Sequence, residues 1–205
     1  SVGFNCKIMA VKATGNGDNS NFITDGYDGI FFAAKAGADV ISCSWGGGGY
    51  SQAQNNIINF ATNQGAIIVS SAGNDNTSDI QYPAGYANVL TVSNLNTAGV
   101  RNGSSNYGSW VDIGAIGTSV LSTCAGDDDE YCNKTGTSMS CPMVAGLCGL
   151  IKSYNNNLTP SQIRQIILDS ANDDIYLIEA NQSYFNQLGA GMIDVQAALL
   201  LASPD

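Results

Sequence analysis

Short apolar runs separated by glycine-rich or polar segments predict a series of strands along the chain. Each run is apolar over most of its length, which is typical of strands that are buried on both faces of a sheet. The predicted strands cover residues 7–12, 38–44, 66–71, 89–93, 111–115 and 120–123.

Apolar residues at helical spacing predict helices between and after these strands. A first helix over residues 22–36 ends at Gly37, and a second over residues 51–64 ends at Gly65. The side chains predicted to face inward are Ile23, Tyr27, Ile30, Phe31 and Ala34 in the first helix and Ile57, Ile58, Phe60 and Ala61 in the second. Three later helices are predicted. One begins at Ser138, one runs from Thr159-Pro160 to about Ser170, and one covers residues 195–201.

Strands that alternate with helices predict a three-layer α/β fold, in which helices cover both faces of a mostly parallel sheet. We expect residues 1–205 to form a single domain. In such sheets, function collects at the carboxyl ends of the strands. Two glycine-rich segments, 45–49 and 72–76, follow directly after predicted strands. They are either ordinary turns or places where the backbone approaches a ligand closely.

The composition limits the classes of function. Of the 205 residues, 44% are apolar, 12% are charged and 24 are glycine, which is typical of a compact globular protein rather than a disordered one. The net charge of −10 and the lack of any Lys/Arg cluster argue against nucleic-acid binding. No apolar run approaches the roughly 20 residues that span a bilayer.

Two of the six cysteines, Cys124 and Cys132, flank an acidic, turn-like loop and predict a disulfide. Cysteines paired in a loop favour a secreted or otherwise extracytoplasmic protein. The loop acids are Asp127, Asp128, Asp129 and Glu130, and they are either solvated or, less often, calcium contacts.

The other four cysteines have different surroundings. Cys6 and Cys43 lie next to apolar strands and are a second candidate pair, whereas Cys141 and Cys148 lie on an apolar helix and are predicted to be core thiols. The chain has no histidine and no Cys-x-x-Cys pair, which argues against zinc bound by the usual ligands.

Ser138 stands where a loop becomes an apolar helix. The run 143–151 has no polar face, so we expect this helix to be buried all round. A hydroxyl at the start of such a helix is held rigidly beside free N–H groups and the positive end of the helix dipole, as a serine nucleophile requires. Alternatively, Thr137 and Ser138 cap the helix. Capping does not explain Pro142, which cannot donate to the Ser138 carbonyl.

The string Gly-Thr-Ser-Met-Ser-x-Pro-x-Val-Ala-Gly resembles the nucleophile motif of the subtilisin-like serine peptidases, the subtilases. Four further segments resemble subtilase segments in the same order along the chain. They are residues 40–46, 71–74, 82–92 and 189–198. The resemblance therefore covers nearly the whole chain and implies a subtilisin-like fold.

The resemblance implies a chemistry for Ser138 and Asn74. The Ser138 hydroxyl would attack a peptide carbonyl, and the Asn74 amide and the Ser138 backbone N–H would hold the oxyanion. Sedolisins, which use no histidine, carry an aspartate as oxyanion donor, so Asn74 points to the branch that uses histidine. The chemistry would need no cofactor.

The resemblance also assigns two segments to the substrate. Ser44, Trp45 and Gly46 on one side and Ala72 and Gly73 on the other would hold a protein or peptide substrate as an added strand. The backbone carbonyls around residues 84, 86 and 89 resemble a weak cation site of some relatives. The resemblance therefore allows a structural calcium ion.

The chain departs from the subtilase pattern because it contains no histidine. In subtilases the histidine base and the aspartate that orients it come before the nucleophile. Residues 1–3 resemble the family shortly after its histidine helix. We therefore expect the chain to be the carboxyl-terminal part of a catalytic domain. Its sheet would be incomplete at the N-terminal side, and an upstream segment of the same protein would carry Asp and His.

The alternative is an inactive pseudoprotease that binds peptides or is structural. Met143 stands where subtilases commonly have a structural histidine.

Overall fold

Four parallel strands form the central sheet in the computed structural model, which describes residues 2–3, 5–16, 23–124 and 130–204. The strands are β1 (Val40–Cys43), β2 (Ile67–Ser71), β3 (Val89–Leu95) and β4 (Ile113–Ile116), in the spatial order β1-β2-β3-β4. An antiparallel ribbon of β5 (Val120–Thr123) and β6 (Tyr131–Lys134) follows them. The helices are α1 (Gly26–Lys35), α2 (Gln52–Asn63), α3 (Thr137–Tyr154), α4 (Pro160–Asp169) and α5 (Val195–Leu201), with two 3-10 helices at Asp173–Leu177 and Glu179–Tyr184.

Helices cover both faces of the sheet, which confirms the predicted three-layer α/β fold. On one face, α1 and α2 pack against Ile41, Cys43 and Ile68. On the other face, α3 lies across all four strands and is backed by α4 and α5. None of the described helices is long and apolar enough to cross a membrane.

Most predicted elements are confirmed, with strand ends that differ by one or two residues in the sheet. Gly37 and Gly65 follow α1 and α2 with φ angles of 85° and 94°, the left-handed conformation that glycine adopts readily. The first helix begins at Gly26 rather than at residue 22, which lies outside the described residues. Phe31 was predicted to face the core, but this prediction is wrong. Its ring packs against the Phe60 ring of α2, and its side chain stays 39% exposed.

The predicted buried strand at residues 7–12 is wrong for the described structure. This segment is neither a strand nor buried, and Ile8 is 93% exposed. A strand needs a neighbour for its N–H and C=O groups, and the described residues provide none here. The segment instead runs past α1, where Val11 and Ala13 lie beside Gly29.

Helix α3 is buried on its sheet face but not all round. Val144, Leu147, Cys148 and Ile151 are fully buried, whereas the opposite side, which includes Gly146 and Gly149, is half-buried. The prediction was wrong because the helix covers one face of the sheet, and α4, α5 and the described residues 2, 3 and 6 cover its outer side only in part.

A disulfide joins Cys124 and Cys132, in agreement with the prediction, and ties the two strands of the β5–β6 ribbon. Residues 127–129 of the acidic loop, for which a calcium contact was one alternative, lie outside the described residues, and Glu130 is exposed.

The second candidate pair, Cys6 and Cys43, is not formed. Cys6 is exposed beside Gly149 on the outer side of α3, whereas Cys43 is buried on the opposite face of the sheet. Cys141 and Cys148 are fully buried core thiols, as predicted. Burial raises the pKa of Cys148 to about 12.

Candidate active site

Ser138 is the second residue of α3 and faces the end of β1. Its Oγ donates a hydrogen bond to the Ser44 carbonyl oxygen at 3.2 Å, and the Ser44 hydroxyl donates to the Ser138 carbonyl at 2.9 Å. Pro142 has no N–H to offer the Ser138 carbonyl, so the Ser44 hydroxyl satisfies it. The Ser44 hydroxyl thus replaces the missing Pro142 N–H and links the start of α3 to the end of β1. This link gives Pro142 a structural explanation that capping did not.

The capping alternative for Thr137 and Ser138 is wrong. The N-cap of α3 is Gly136, which has no side-chain cap bond. The Thr137 hydroxyl bonds to the segment after β2, and the Ser138 hydroxyl bonds to the segment after β1.

Asn74 is fixed by Thr137 through its side-chain oxygen. Asn74 Oδ1 accepts from the Thr137 N–H at 2.9 Å and from the Thr137 hydroxyl at 3.2 Å. Because an N–H can only face an acceptor, the oxygen is assigned to this side of the amide. Asn74 Nδ2 then has no hydrogen-bond partner among the described residues, so both of its N–H groups are free for a ligand.

The segment after β2 is drawn towards the start of α3 by a second bond. The Gly73 N–H donates to the Thr137 hydroxyl oxygen at 3.2 Å, and Gly73 has a φ of 104°. Ala72 is fully buried, and its N–H donates to the Val92 carbonyl at 3.0 Å. The Ala72 carbonyl accepts from Asn106 Nδ2 at 3.0 Å, so both main-chain groups of Ala72 are bonded within the protein.

The segment after β1 presents backbone rather than side chains. The Trp45 ring turns away from the site onto α1, where a Cβ on Gly26 would lie 2.6 Å from it and where it meets the Tyr27 ring edge-on at 5.3 Å. Gly46 lies beside the Tyr82 carbonyl, and the N–H of Gly47 donates to that carbonyl at 2.9 Å. The sequence could not show that Trp45 is a packing side chain.

The chain has no histidine to serve as the base, and among the described residues no carboxylate bonds to Ser138. The nearest titratable side chain along α3 is Cys141, which is fully buried, and its thiol donates to the Val69 carbonyl at 3.4 Å. Burial raises the pKa of Cys141, so the thiol stays protonated at neutral pH. Within residues 2–3, 5–16, 23–124 and 130–204, no cluster of His, Cys, Asp or Glu could hold a metal ion.

Residues 84, 86 and 89, whose carbonyls resemble a weak cation site, line a cavity of about 210 Å³. The Ala84 carbonyl accepts from the Thr91 hydroxyl at 2.7 Å. Asp112, on the same cavity, accepts from the Thr91 N–H at 2.7 Å and from the Arg164 guanidinium at 2.6 Å. The arginine already supplies the positive charge that a cation would bring.

Two residues of the site were missed by sequence reasoning. Thr137 was considered only as a cap, although it holds both Gly73 and Asn74. Asn106 is fully buried behind the segment after β2 and bonds to its backbone. Nothing in the local sequence marks Asn106, because its partners lie about thirty positions earlier.

The sequence is similar to the sequences of known serine proteases. The sequence model of the subtilase family matches residues 1–191. A thermophilic serine proteinase of Bacillus sp. (strain AK1) is 38% identical over 167 residues, which are 82% of this chain and 40% of that protein. The halolysin-like extracellular serine protease Nep of Natrialba magadii is 35% identical over 195 residues, which are 95% of this chain and 34% of that protein.

The fold is also similar to that of a solved protease. A protease from Pseudoalteromonas arctica superposes with a TM-score of 0.78 at 33% identity, over 87% of this chain and 58% of that chain. The chain thus spans less than two thirds of the length of each of these proteins.

Proposed function

Because the chain belongs to the subtilase family of serine peptidases, we propose that it carries the nucleophile and the oxyanion hole of a serine endopeptidase. The observation that carries this proposal is that Thr137, next to Ser138 in the first turn of α3, holds the Asn74 side chain by its oxygen. The Ser138 hydroxyl stands at the start of a helix packed on the core. Because Thr137 bonds to the oxygen of the Asn74 amide, the amide N–H groups stay without a partner among the described residues.

The reaction begins when Ser138 Oγ attacks the carbonyl carbon of a peptide bond. A C–O bond forms, the hydroxyl proton passes to a base, and the carbonyl oxygen becomes an oxyanion. Asn74 Nδ2 and the Ser138 N–H donate to that oxyanion. The Ser138 N–H lies in the first turn of α3, where N–H groups have no intrahelical acceptor. The base then protonates the leaving amine, and water releases the acyl group from Ser138.

The substrate lies as an extended strand between two backbone segments. Ser44, Trp45 and Gly46 follow β1, and Ala72 and Gly73 follow β2, its neighbour in the sheet. With Trp45 packed against α1, the segment after β1 offers mainly main-chain groups. The N–H and carbonyl groups of Ala72 and Gly73 already bond within the protein, so a substrate would add a second bond at one of these carbonyls. Main-chain pairing suits any peptide and leaves the choice of side chain to the surrounding pockets.

The base of this enzyme comes from outside the chain. We assign it to an upstream segment of the same protein that carries a histidine and an aspartate. Three features support this assignment: the chain has no histidine, the outer edge of β1 has no partner among the described strands, and residues 7–12 expose apolar side chains. The chain alone would therefore be inactive.

The second candidate is a pseudoprotease that binds peptides without cleaving them, which the missing histidine favours. Peptide binding requires neither a free Asn74 amide nor a hydroxyl at Ser138, and the chain keeps both. The endopeptidase explains both groups and the pseudoprotease explains neither.

We also propose that the protein is secreted or otherwise extracytoplasmic, which the Cys124–Cys132 disulfide supports, as does the relative described as extracellular. The chemistry needs no cofactor. Any calcium ion would be structural, and Arg164 disfavours one in the cavity beside Asp112.

A fluorophosphonate probe tests the endopeptidase in the full-length protein. We expect the probe to label the wild type and the Ser153→Ala variant but not the Ser138→Ala variant. Ser153 is a matched control because it is an exposed serine on the same helix. The chain without its upstream segment should not be labelled. An unlabelled full-length wild type, or an upstream coding sequence without Asp-Thr/Ser-Gly and His-Gly-Thr motifs, would leave the pseudoprotease.

A further inference from the structure

Residues 72–77, which we name the oxyanion loop, are held from behind by a single buried side chain. Asn106 Nδ2 donates to the Ala72 carbonyl at 3.0 Å. Asn106 Oδ1 accepts from the Asp75 N–H at 2.8 Å and from the Thr77 N–H at 3.3 Å. We infer that Asn106 is a positioning residue of the proposed peptidase and acts by holding Asn74 where it can donate to the oxyanion.

The bonds from Asn106 lie on both sides of Asn74. Its side chain bonds to residues 72, 75 and 77, and its backbone N–H donates to the Gly73 carbonyl at 2.9 Å. Asn74 itself bonds to Thr137 on the front of the loop. The loop is thus clamped between the start of α3 and Asn106. This matters for rate, because a displacement of about 1 Å at a reacting group can cost about 100-fold.

Asn106 takes the place of a neighbouring strand for the oxyanion loop. Strand β2 ends at Ser71, and the Ala72 N–H makes the last bond of the loop to β3, at the Val92 carbonyl. Asn106 is fully buried, so water does not compete for its amide. The packing is close, since a Cβ on Gly73 would collide with Asn106 Nδ2.

Other contacts keep the loop folded when the Asn106 side chain is removed. The Asn76 N–H donates to the Ser104 carbonyl at 2.9 Å, and the Tyr107 N–H donates to the Thr77 carbonyl at 3.1 Å. Asn106→Ala therefore removes three side-chain bonds but leaves the loop beside residues 104–107. The expected defect is a looser Asn74 rather than an unfolded protein.

The inference rests on the proposed function, and its test uses the full-length protein with a peptide substrate. Per labelled active site, we expect Asn106→Ala to lower kcat by about 10- to 100-fold, with KM changed by less than about threefold. Asn106→Asp keeps an acceptor for Asp75 and Thr77, and because burial favours the neutral carboxyl, its O–H can replace the amide donor to Ala72, so this variant should retain more of kcat. The Asn106→Asp variant also provides the test of kcat if the Asn106→Ala protein does not fold.

Asn181→Ala is the matched control. Asn181 is also fully buried, and its side chain makes three bonds to backbone groups of Gly99, Arg101 and Ile175, none of them in the oxyanion loop. It should lower stability to a similar extent and leave kcat within about twofold. A merely structural role of Asn106 would give the same result as this control.

A double variant separates positioning from any other effect. Once Asn74 is replaced by alanine, there is no amide for Asn106 to position. The Asn74→Ala/Asn106→Ala variant should therefore match Asn74→Ala in kcat within about threefold. Multiplying effects in the double variant, or an Asn106→Ala kcat no lower than that of Asn181→Ala, would overturn the inference.

A second readout keeps this test distinct from that of the proposed function. If the wild type hydrolyses nothing, the endopeptidase fails, and hydrogen exchange at the Asp75 and Thr77 amides still reports on the clamp. We expect both amides to exchange at least about tenfold faster in Asn106→Ala than in Asn181→Ala. Equal exchange in the two variants would show that Asn106 does not hold the loop.

Discussion

At the scale of single residues, the site depends on side chains that bond to backbone groups of distant segments. Ser44 satisfies the carbonyl that Pro142 leaves without a donor, and Thr137 orients Asn74 through its N–H and its hydroxyl. Each bond removes freedom from a group that must be in place before the reaction starts. Such preorganisation is the main source of oxyanion stabilisation in enzymes.

Replacing Asn74 by alanine in the full-length protein should lower kcat for a peptide substrate by about 100- to 1,000-fold, because one of two oxyanion donors is lost. Labelling of Ser138 by a fluorophosphonate should persist at a reduced rate, since the nucleophile is unchanged. Asn157→Ala, at an exposed position outside the site, should leave kcat unchanged. A loss in kcat of less than about tenfold would remove Asn74 from the oxyanion hole.

The buried thiol of Cys148 predicts a loss of stability at alkaline pH. Its pKa is raised to about 12 by burial, whereas the pKa of a thiol in an unfolded chain is about 8.5. Between these values only the unfolded state releases the proton, so the free energy of unfolding falls as pH rises, by about 1.4 kcal/mol per pH unit for this thiol. Below the lower value the thiol has no effect on the pH dependence.

Urea unfolding of Cys148→Ala between about pH 9 and about pH 11 tests this contribution. The free energy of unfolding should decline less steeply with pH than in the wild type. Ser153→Ala, on the exposed side of the same helix, should keep the wild-type slope. Equal slopes for Cys148→Ala and the wild type would show that the thiol ionises in the folded protein.

At the scale of elements, α3 joins the site to the core. Its first turn carries Ser138, and its sheet face buries Val144, Leu147 and Ile151 completely. The proposed nucleophile, Ser138, is therefore held in place by the packing of the core. Helix α4 supports α3 from outside and buries Ile163 and Ile167.

The start of α4 predicts a measurable loss of stability for Thr159→Ala. The Thr159 hydroxyl accepts from the Gln162 N–H at 3.3 Å, and Gln162 Oε1 accepts from the Thr159 N–H at 2.9 Å, which is a capping box. Removing it should lower the free energy of unfolding by about 1 kcal/mol, as measured by urea unfolding. Ser161→Ala, at an exposed helical position, should change it by less than about 0.5 kcal/mol. Equal values for the two variants would show that the box contributes nothing.

At the scale of the whole molecule, one side of the sheet is open within the described structure. The outer edge of β1 has no partner strand among the described residues, and the nearby segment 7–12 exposes Ile8 and Met9. Open strand edges and apolar side chains in water are both unfavourable. Under the proposed function, the upstream segment covers this side and also brings the base to Ser138.

Ile8→Lys tests that covering in the full-length protein. If Ile8 becomes buried in a completed sheet, a lysine there should lower the free energy of unfolding by about 2 kcal/mol or more. Lys7→Gln is a neighbouring change of charge and should have an effect below about 0.5 kcal/mol. An Ile8→Lys protein as stable as Lys7→Gln in urea would mean that Ile8 stays in water.

The sequence alone was enough for features that depend on neighbours along the chain. The period of apolar residues predicted most strands and helices, since burial of one face imposes that period locally. The proposed roles of Ser138 and Asn74 followed from a family resemblance that could be recognised because each residue lies in a contiguous motif, which ends a strand or begins a helix.

Only the tertiary structure decided what depends on packing between distant segments. It placed Cys6 and Cys43 on opposite faces of the sheet, turned the Trp45 ring onto α1 and put Asn106 behind the oxyanion loop. It also left residues 7–12 exposed, because an apolar run becomes a buried strand only where another strand satisfies its backbone. These outcomes depend on which surfaces meet, and the local periodicity of a sequence contains no information about that.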